Sequence, residues 1–230
     1  MEVIYHDKPF KIKKFPLTEM HVIDNWASPE LLYNFNNITR RTIWAQNNQV
    51  NRAGRIQHLF WGATFYEGAD KKARSCDNES DTYLVRYSDR KLQTDFGFRW
   101  VEFQYAGMNG QTLGLQGTVH EDCPFSNDQN ISFLWYNTPY WEDKWGGSLC
   151  LYSEEAKELS GFKNIREELE QYKICEVPYK PNRLLMFDGR IPHNANAPEY
   201  TSYQCRQSIV IRGDKVRLEN EMDRYADPRI

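Results

Sequence analysis

The stretch Gly117-Thr118-Val119-His120-Glu121-Asp122 places a histidine and a carboxylate at alternate positions directly after an apolar residue. On a β-strand, residues i and i+2 point to the same face, so His120 and Asp122 can enter one cavity while Glu121 points away. A tripeptide of this kind also occurs often by chance, and a surface histidine is the simpler interpretation of it alone. Its meaning therefore depends on the rest of the chain.

A second histidine follows in the segment Ile191-Pro192-His193. Two imidazoles and one carboxylate form the facial triad of non-haem Fe(II) oxygenases, which leaves metal positions open. A 2-oxo acid that chelates through two oxygens, together with O2, can fill those positions. The pattern predicts that His120, Asp122 and His193 are the metal ligands and the catalytic residues.

A basic residue beyond the second histidine strengthens this interpretation. Arg206 and Ser208 share one face of a strand by the same alternation, and the apolar neighbours Ile209-Val210-Ile211 favour a buried arginine over a surface ion pair. A dicarboxylate cosubstrate needs a planar, permanently charged donor for its distal carboxylate, with a hydroxyl beside it. Arg206 and Ser208 are therefore candidate cosubstrate ligands.

Short apolar or aromatic runs separated by turn residues fill the second half of the chain, which is typical of an all-β sandwich or barrel. The predicted strands are Trp100–Tyr105, Leu113–Val119, Ile131–Tyr136, Ser148–Tyr152, Ile174–Val177, Leu184–Phe187 and Gln207–Ile211. Ser28-Pro29-Glu30 predicts the start of a helix that runs to about Ile38, because serine caps, proline suits the first turn and glutamate complements the dipole.

Composition excludes several classes of protein. The 230 residues suffice for one domain, and a net charge of −3 gives no electrostatic footprint for nucleic acid. The five cysteines are scattered without a C-x-x-C pair, so neither a disulfide framework nor a zinc knuckle is expected. No leader pattern and no apolar run of the roughly 18 residues that span a bilayer occurs, so we expect no membrane association and a cytoplasmic location.

The segment from Gly114 to Arg212 resembles the Fe(II)/2-oxoglutarate-dependent oxygenase superfamily, in its prolyl-hydroxylase-like branch. The matching pieces, each weak alone, occur in the family's order. They are Tyr105 on a preceding strand, the H-x-D segment, Ile131-Ser132-Phe133-Leu134-Trp135-Tyr136-Asn137, Trp141 with Trp145-Gly146-Gly147-Ser148-Leu149, Pro181-Asn182-Arg183-Leu184-Leu185-Met186-Phe187-Asp188, and Arg206-x-Ser208.

The resemblance implies a mainly β fold with supporting α-helices, namely a double-stranded β-helix (a jelly roll, cupin-like) with N-terminal helices. We expect a single oxygenase domain over residues 1–230. Residues 1–99 would supply supporting strands, helices and loops, residues 100–212 the jelly-roll core, and residues 213–230 a charged tail that forms a surface helix or arm. The polar segment 153–172 is predicted as a helical insertion.

The resemblance also implies the cofactors, Fe(II), 2-oxoglutarate as cosubstrate and O2, and the roles of further residues. Arg206 would bind the C5 carboxylate of 2-oxoglutarate, with help from Ser208 and Tyr105. Three strand residues would line the cosubstrate pocket: Phe133, Trp135 and Leu149. For the two aromatic residues among them, simple core packing remains an open alternative. Among these, Trp135 is a candidate cofactor-binding residue.

The activity implied is hydroxylation of an unactivated C–H bond with release of succinate and CO2. Halogenation is disfavoured because the carboxylate position is filled by Asp122, whereas desaturation and ring closure stay open. We expect a small-molecule substrate, such as an amino acid or a natural-product intermediate. The alternatives are a peptidyl, prolyl-type hydroxylase, and, from other classes, a zinc hydrolase or a non-catalytic jelly-roll binding module. A nucleic-acid demethylase fits the net charge of −3 poorly but stays open, since a local basic rim could suffice. The substrate's identity and the oligomeric state are not predicted.

Overall fold

The structure, a computed structural model, describes residues 1–13, 18–41, 44–46, 60–67, 79–122, 130–159, 166–200 and 202–218. Within these ranges the strands are β1 Glu2–His6, β2 Glu19–Ile23, β3 Ala45–Gln46, β4 Trp61–Glu67, β5 Phe98–Gln111, β6 Asn130–Tyr136, β7 Leu149–Tyr152, β8 Lys173–Val177, β9 Leu184–Phe187, β10 His193–Ala195 and β11 Arg206–Leu218. The helices are α1 Pro29–Arg41, α2 Glu79–Phe96 and α3 Arg166–Glu170, with 3-10 turns at Asp143–Trp145 and Glu154–Leu159.

The strands form two sheets. The larger has eight strands in the order β1-β2-β9-β6-β11-β5-β4-β3, and the smaller has three in the order β10-β7-β8. One apolar cluster joins side chains of both sheets, among them Leu134 and Val210 from the larger and Leu149 and Leu151 from the smaller. This arrangement is the predicted double-stranded β-helix, so the predicted fold class is confirmed.

A second apolar cluster covers the other face of the larger sheet. It combines Phe35 of α1 and Phe96 of α2 with Phe133 and Trp135 of β6. Strand β6 is therefore buried on both faces, and every one of its residues is inaccessible. Successive side chains of a strand alternate between faces, so Phe133 and Trp135 point to the helices while Leu134 points to the smaller sheet.

The first helix begins where the sequence predicts. The Ser28 hydroxyl accepts a hydrogen bond from the Leu31 amide at 3.2 Å, and α1 continues beyond Ile38 to Arg41. Helix α2 was not predicted, although its buried residues Val85, Ser88, Leu92 and Phe96 recur at helical spacing. The hydrophobic periodicity of this helix is weak, because one of these four buried positions is a serine and few other residues of the helix are apolar.

Three predictions about strand limits were wrong: the strand at Leu113–Val119, the end of the strand that begins near Trp100, and the start of the C-terminal tail. Residues 112–119 form no strand, and β5 instead extends to Gln111 because β11 pairs along its whole length. The predicted tail does not start at Gly213, since β11 passes that residue with a register shift and stays paired as far as Leu218. Residues 219–230 lie outside the described ranges.

In the described residues of the segment 153–172, a 3-10 turn at Glu154–Leu159 precedes α3 at Arg166–Glu170. Across the ranges given above, none of the helices combines the length and the apolar character that crossing a bilayer requires.

Candidate active site

The segment that carries the first two predicted ligands runs beside β10 without being a regular strand. His120 and His193 exchange both backbone hydrogen bonds, at 3.0 Å and 2.9 Å, and the Asp122 amide donates to the Gly189 carbonyl at 2.8 Å. A two-way pairing sets opposed residues close together with their side chains on one face. The backbone thus brings the H-x-D segment next to the second histidine.

A glycine permits this close approach. The Gly117 amide donates to the Ala195 carbonyl at 3.1 Å. A Cβ atom at Gly117 would lie 2.8 Å from the same carbonyl oxygen, which is closer than real Cβ contacts. The chain can therefore lie against β10 at this point only because residue 117 has no side chain.

The three side chains that were predicted as metal ligands converge. The nearest ligand atoms of His120, Asp122 and His193 all lie within 4.8 Å of one another. His120 Nε2 is 3.8 Å from Asp122 Oδ1, and His193 Nε2 is 3.7 Å from Asp122 Oδ2. In the described ranges, no other group of three histidine, cysteine, aspartate or glutamate side chains converges in this way.

Backbone carbonyls fix the orientation of both imidazoles. His120 Nδ1 lies 2.9 Å from the Thr118 carbonyl oxygen, and His193 Nδ1 lies 2.8 Å from that of Ile191. A carbonyl only accepts, so each Nδ1 carries the hydrogen and each Nε2 presents its lone pair to the cavity. Partners of this kind hold metal-binding histidines in the correct tautomer.

The protonation states also suit a metal. Burial and the neighbouring His193 lower the pKa of His120 to about 3, so its imidazole is neutral at neutral pH. Burial raises the pKa of Asp122, but Arg212 and the two histidines outweigh this effect and hold it well below its ordinary value. Metal ligands must be deprotonated, as His120 and Asp122 are, and two imidazoles with one carboxylate form the donor set that binds Fe(II).

Asp122 is held from both sides. The Ser132 hydroxyl donates to Oδ2 at 2.6 Å, and Arg212 Nη1 donates to Oδ1 at 2.6 Å. Charge-assisted hydrogen bonds of this length are strong and directional. The carboxylate therefore has a fixed orientation toward the two imidazoles.

The opposite end of the cavity is built around Arg206, which is completely buried. Its Nε donates to the Gly147 carbonyl at 2.6 Å and its Nη1 to Gln111 Oε1 at 2.9 Å. The guanidinium carbon lies 5.0 Å and 5.1 Å from the ring centroids of Tyr136 and Tyr179. These contacts hold the guanidinium in one plane and one position.

Two polar atoms at this end are buried and make no hydrogen bond of normal geometry to the described residues: Arg206 Nη2 and the Tyr136 hydroxyl, whose residues interact with each other. Burial raises the pKa of Tyr136, so the hydroxyl keeps its hydrogen and can donate. Leaving buried donors unsatisfied costs about 1–3 kcal/mol each. The pair is arranged to receive an acceptor such as a carboxylate.

One cavity joins the two ends. The three converging side chains stand at one end, Arg206 and Ser208 at the other, and Leu134, Leu149 and Val210 form apolar walls between them. Ser208 and Leu149, which were both predicted as pocket residues, thus line this cavity.

Neither a protein-family model nor a curated protein matches the sequence. Solved structures do match its fold. An oxidoreductase of the 2OG-Fe(II) oxygenase family from Burkholderia pseudomallei gives a TM-score of 0.58 at 10% identity over 88% of each chain. A prolyl hydroxylase from Trichoplax adhaerens, in complex with a hypoxia inducible factor peptide fragment, gives 0.53 at 22% identity over 90% of this chain and 87% of that one.

The chain has the fold of the Fe(II)/2-oxoglutarate oxygenases. The non-haem α-ketoglutarate-dependent epimerase SnoN, from nogalamycin biosynthesis, is a further neighbour, with a TM-score of 0.53 at 10% identity over 86% of this chain and 80% of that one. The resemblance read from the sequence is thus confirmed at the level of the fold.

Two residues predicted to line the pocket of this oxygenase fold lie elsewhere. Trp135 and Phe133 belong to the cluster under the helices, and Trp135 Nε1 donates to Asn182 Oδ1 at 3.0 Å. The error is one residue of register, which reverses the face of every side chain on a strand. Leu134 lines the cavity in their place, and the ring of Tyr136 lies against the Arg206 guanidinium.

Tyr105 stands beside the cavity and is not part of its wall. The Arg212 guanidinium carbon lies 4.7 Å from the centroid of its ring. The side chain folds along the strand over Gly107, where an added Cβ would lie 2.1 Å from the tyrosine oxygen. Its role in cofactor binding stays a prediction.

The sequence reasoning missed four residues of the site: Gln111, Ser132, Tyr136 and Arg212. For Arg212 the signal was present, because residues 206, 208, 210 and 212 fall on one face of β11 by the alternation that was applied to Arg206 and Ser208. For Gln111 the sequence carried no such signal, since only the pairing of β11 with β5 places Gln111 opposite Arg206.

Proposed function

We propose that this protein is an Fe(II)- and 2-oxoglutarate-dependent dioxygenase that hydroxylates an unactivated C–H bond. One observation carries the proposal. A single cavity has two imidazoles and a carboxylate at one end, and at the other a buried arginine whose Nη2, like the neighbouring Tyr136 hydroxyl, makes no hydrogen bond of normal geometry to the described residues. This is the chemistry that a chelating dicarboxylate cosubstrate needs.

At the metal end, His120, Asp122 and His193 would bind Fe(II). The ion would supply the O2 chemistry, which no protein side chain can provide. The residues supply its position, through the two carbonyl-bound imidazoles and the carboxylate held by Ser132 and Arg212. A zinc hydrolase would use a similar triad but has no need of a buried arginine facing the metal across an apolar cavity.

At the cosubstrate end, Arg206 Nη2 and the Tyr136 hydroxyl would both donate to the C5 carboxylate of 2-oxoglutarate. Ser208 lies on the same face of the sheet and would add a hydroxyl. Leu134, Leu149 and Val210 would exclude water along the carbon chain. A cosubstrate anchored at this end presents its 2-oxo and C1 carboxylate oxygens toward the triad.

The overall reaction consumes a substrate C–H bond, 2-oxoglutarate and O2, and yields an alcohol, succinate and CO2. One oxygen atom enters the alcohol and the other enters succinate. We infer a small-molecule substrate, which is favoured by the neighbouring epimerase from nogalamycin biosynthesis. Peptidyl hydroxylation is the second candidate, favoured by the neighbouring prolyl hydroxylase that was solved with a peptide.

The first experiment is anaerobic titration of the metal-free protein with Fe(II) and 2-oxoglutarate, followed by visible absorption. We expect a weak charge-transfer band that needs both additions and is lost in His120→Ala. Absence of this band, together with tight zinc binding, would contradict the oxygenase proposal and favour a zinc hydrolase. Succinate release measured with free amino acids and with proline-containing peptides then separates the two substrate classes.

A further inference from the structure

Arg212 is a cation placed directly against a proposed metal ligand. Its Nη1 donates to Asp122 Oδ1 at 2.6 Å, on the carboxylate oxygen opposite the one that Ser132 contacts. The side chain is 24% exposed, whereas that of Asp122 is 5% exposed. A buried carboxylate is thus balanced by a guanidinium that enters from the rim of the cavity.

The guanidinium is held in place by its neighbours. Arg212 lies over the ring of Tyr105, with its carbon 4.7 Å from the ring centroid. Tyr105 in turn folds into the space that Gly107 leaves open. Arg212, Tyr105 and Ser132 occupy one rung of the sheet, because Arg212 pairs with Tyr105 on β5 and with Ser132 on β6. The ion pair is therefore built into the sheet.

We propose that Arg212 is a resident counter-cation for Asp122, which keeps the site formed before the metal binds and lowers the affinity for the metal afterwards. The inference rests on the proposed function, since it takes Asp122 as a metal ligand. It concerns a positioning residue, because Arg212 acts through Asp122.

Two opposed electrostatic effects follow from this geometry. Without a metal, a buried carboxylate that lost its cation would destabilise the fold, because an unpaired charge is costly in a low-dielectric site. With a divalent ion bound, the same guanidinium repels that ion at short range. Arg212 therefore stabilises the metal-free protein and weakens metal binding. Its removal should lower the unfolding temperature of the metal-free protein and raise the affinity for the metal.

The contact also restricts how the carboxylate binds. Each oxygen of Asp122 already accepts one short hydrogen bond, Oδ1 from Arg212 and Oδ2 from Ser132. A carboxylate held at both ends binds an ion through one oxygen more readily than through both. Coordination through one oxygen leaves the positions that a chelating cosubstrate and O2 require.

The test compares Arg212→Gln, Arg212→Lys and Ser132→Ala. Thermal unfolding is recorded after chelator treatment and with saturating Co(II), and Co(II) affinity is measured by calorimetry. We expect Arg212→Gln to lower the Tm of the chelated protein and to bind Co(II) about tenfold or more tightly. Arg212→Lys keeps the charge and should stay near wild type, while Ser132→Ala removes a hydrogen bond without a charge and should not tighten binding.

Equal losses of Tm with and without Co(II), or Co(II) binding that is unchanged or weaker in Arg212→Gln, would overturn the inference. If Arg212→Gln does not fold, the double variant Asp122→Asn with Arg212→Gln decides. It should fold, because neither a lone carboxylate nor a lone guanidinium remains, and an unfolded double variant counts against the proposal. Failure of the proposed function is distinct, since the wild-type protein itself would then show no charge-transfer band with Fe(II) and 2-oxoglutarate, whatever the Arg212 variants do.

Discussion

The Gly147 carbonyl accepts a hydrogen bond from Arg206 Nε at 2.6 Å, and the α-carbon of Gly147 lies so close to Arg206 that a side chain there would meet it. A Cβ would be 3.1 Å from Arg206 Cδ and 3.2 Å from Trp141 Cζ2. The residue also has a φ of +81°, which favours glycine. The Gly146-Gly147 turn therefore positions the candidate cosubstrate anchor.

Gly147→Ala should weaken 2-oxoglutarate binding about tenfold, because the guanidinium must move away from its present plane. Calorimetric titration of the metal-loaded protein with 2-oxoglutarate measures this effect. Gly114→Ala is the matched control, since Gly114 also has a positive φ of +78° but nothing within 4 Å of its added Cβ. Equal losses of affinity in both variants would count against the positioning role.

Tyr136→Phe should reduce 2-oxoglutarate affinity by about three- to tenfold, since one buried hydrogen bond contributes about 0.5–1.5 kcal/mol. It should change the stability of the ligand-free protein little, because the hydroxyl makes no hydrogen bond of normal geometry to the described residues. The neighbouring Trp135→Phe is the control. It removes the hydrogen bond to Asn182, so we expect a loss of about 1 kcal/mol of stability and unchanged 2-oxoglutarate affinity.

Asp122→Ala and His193→Ala should each abolish 2-oxoglutarate turnover and leave the protein folded. Succinate formation and circular dichroism, measured on the same preparation, check both expectations. Glu121→Ala serves as the comparison, because residue 121 lies between the two ligands of the H-x-D segment and is expected to point away from the cavity. A folded and fully active Asp122→Ala protein would refute the metal assignment.

Arg206→Ala should raise the Kd for 2-oxoglutarate about a hundredfold or more, because it removes a buried charge-assisted contact. Arg206→Lys should recover only part of the loss, since an ammonium cannot reproduce the hydrogen bonds to Gly147 and Gln111 together with the contact to the carboxylate. Co(II) affinity should be unchanged in both variants. Unchanged 2-oxoglutarate affinity in Arg206→Ala would place the anchor elsewhere.

Acidification should destabilise the protein through the histidine pair at the edge of the larger sheet. His6 Nε2 lies 3.0 Å from His21 Nδ1, and burial together with His6 lowers the pKa of His21 to about 4. In the unfolded protein the pKa of this imidazole is ~6.5, so the unfolded state binds the proton first as the pH falls. The contribution of His21 to the free energy of unfolding is therefore fully present above about pH 6.5 and decreases as the pH falls toward 4.

Urea unfolding at pH 7 and pH 5 measures this effect. His21→Asn should lose less stability between the two pH values than the wild-type protein does. His120 titrates in the same direction, but its contribution is the same in both proteins and cancels in the comparison. An identical pH dependence in the variant would exclude His21 as a source.

The convergence of the candidate site was predictable because it depends on strand alternation and chain order. His120 with Asp122, and Arg206 with Ser208, needed only the period of two. The face of β6 was not predictable in the same way. All seven of its residues are buried, so no contrast of polar and apolar positions distinguishes the face with Trp135 from the face with Tyr136.

Partnerships between distant strands were also beyond the sequence. Gln111 supports Arg206 only because β5 continues past Tyr105 and pairs with β11, and Ser132 reaches Asp122 only because β6 lies on the other side of β11. These contacts join residues far apart along the chain, and no local pattern marks them. The number and spacing of the apolar runs predicted an all-β sandwich or barrel, and the family resemblance implied the double-stranded β-helix.

The irregular path of residues 112–119 has a consequence for how this site can vary in length. Backbone contacts with β10, at Gly117 and His120, set the position of the first two ligands, and no strand leads into them. Residues inserted or removed near the exposed Leu113 would be absorbed before those contacts begin. The distance along the chain from β5 to the H-x-D segment is therefore free to change, whereas the spacing from Gly117 to Asp122 is not.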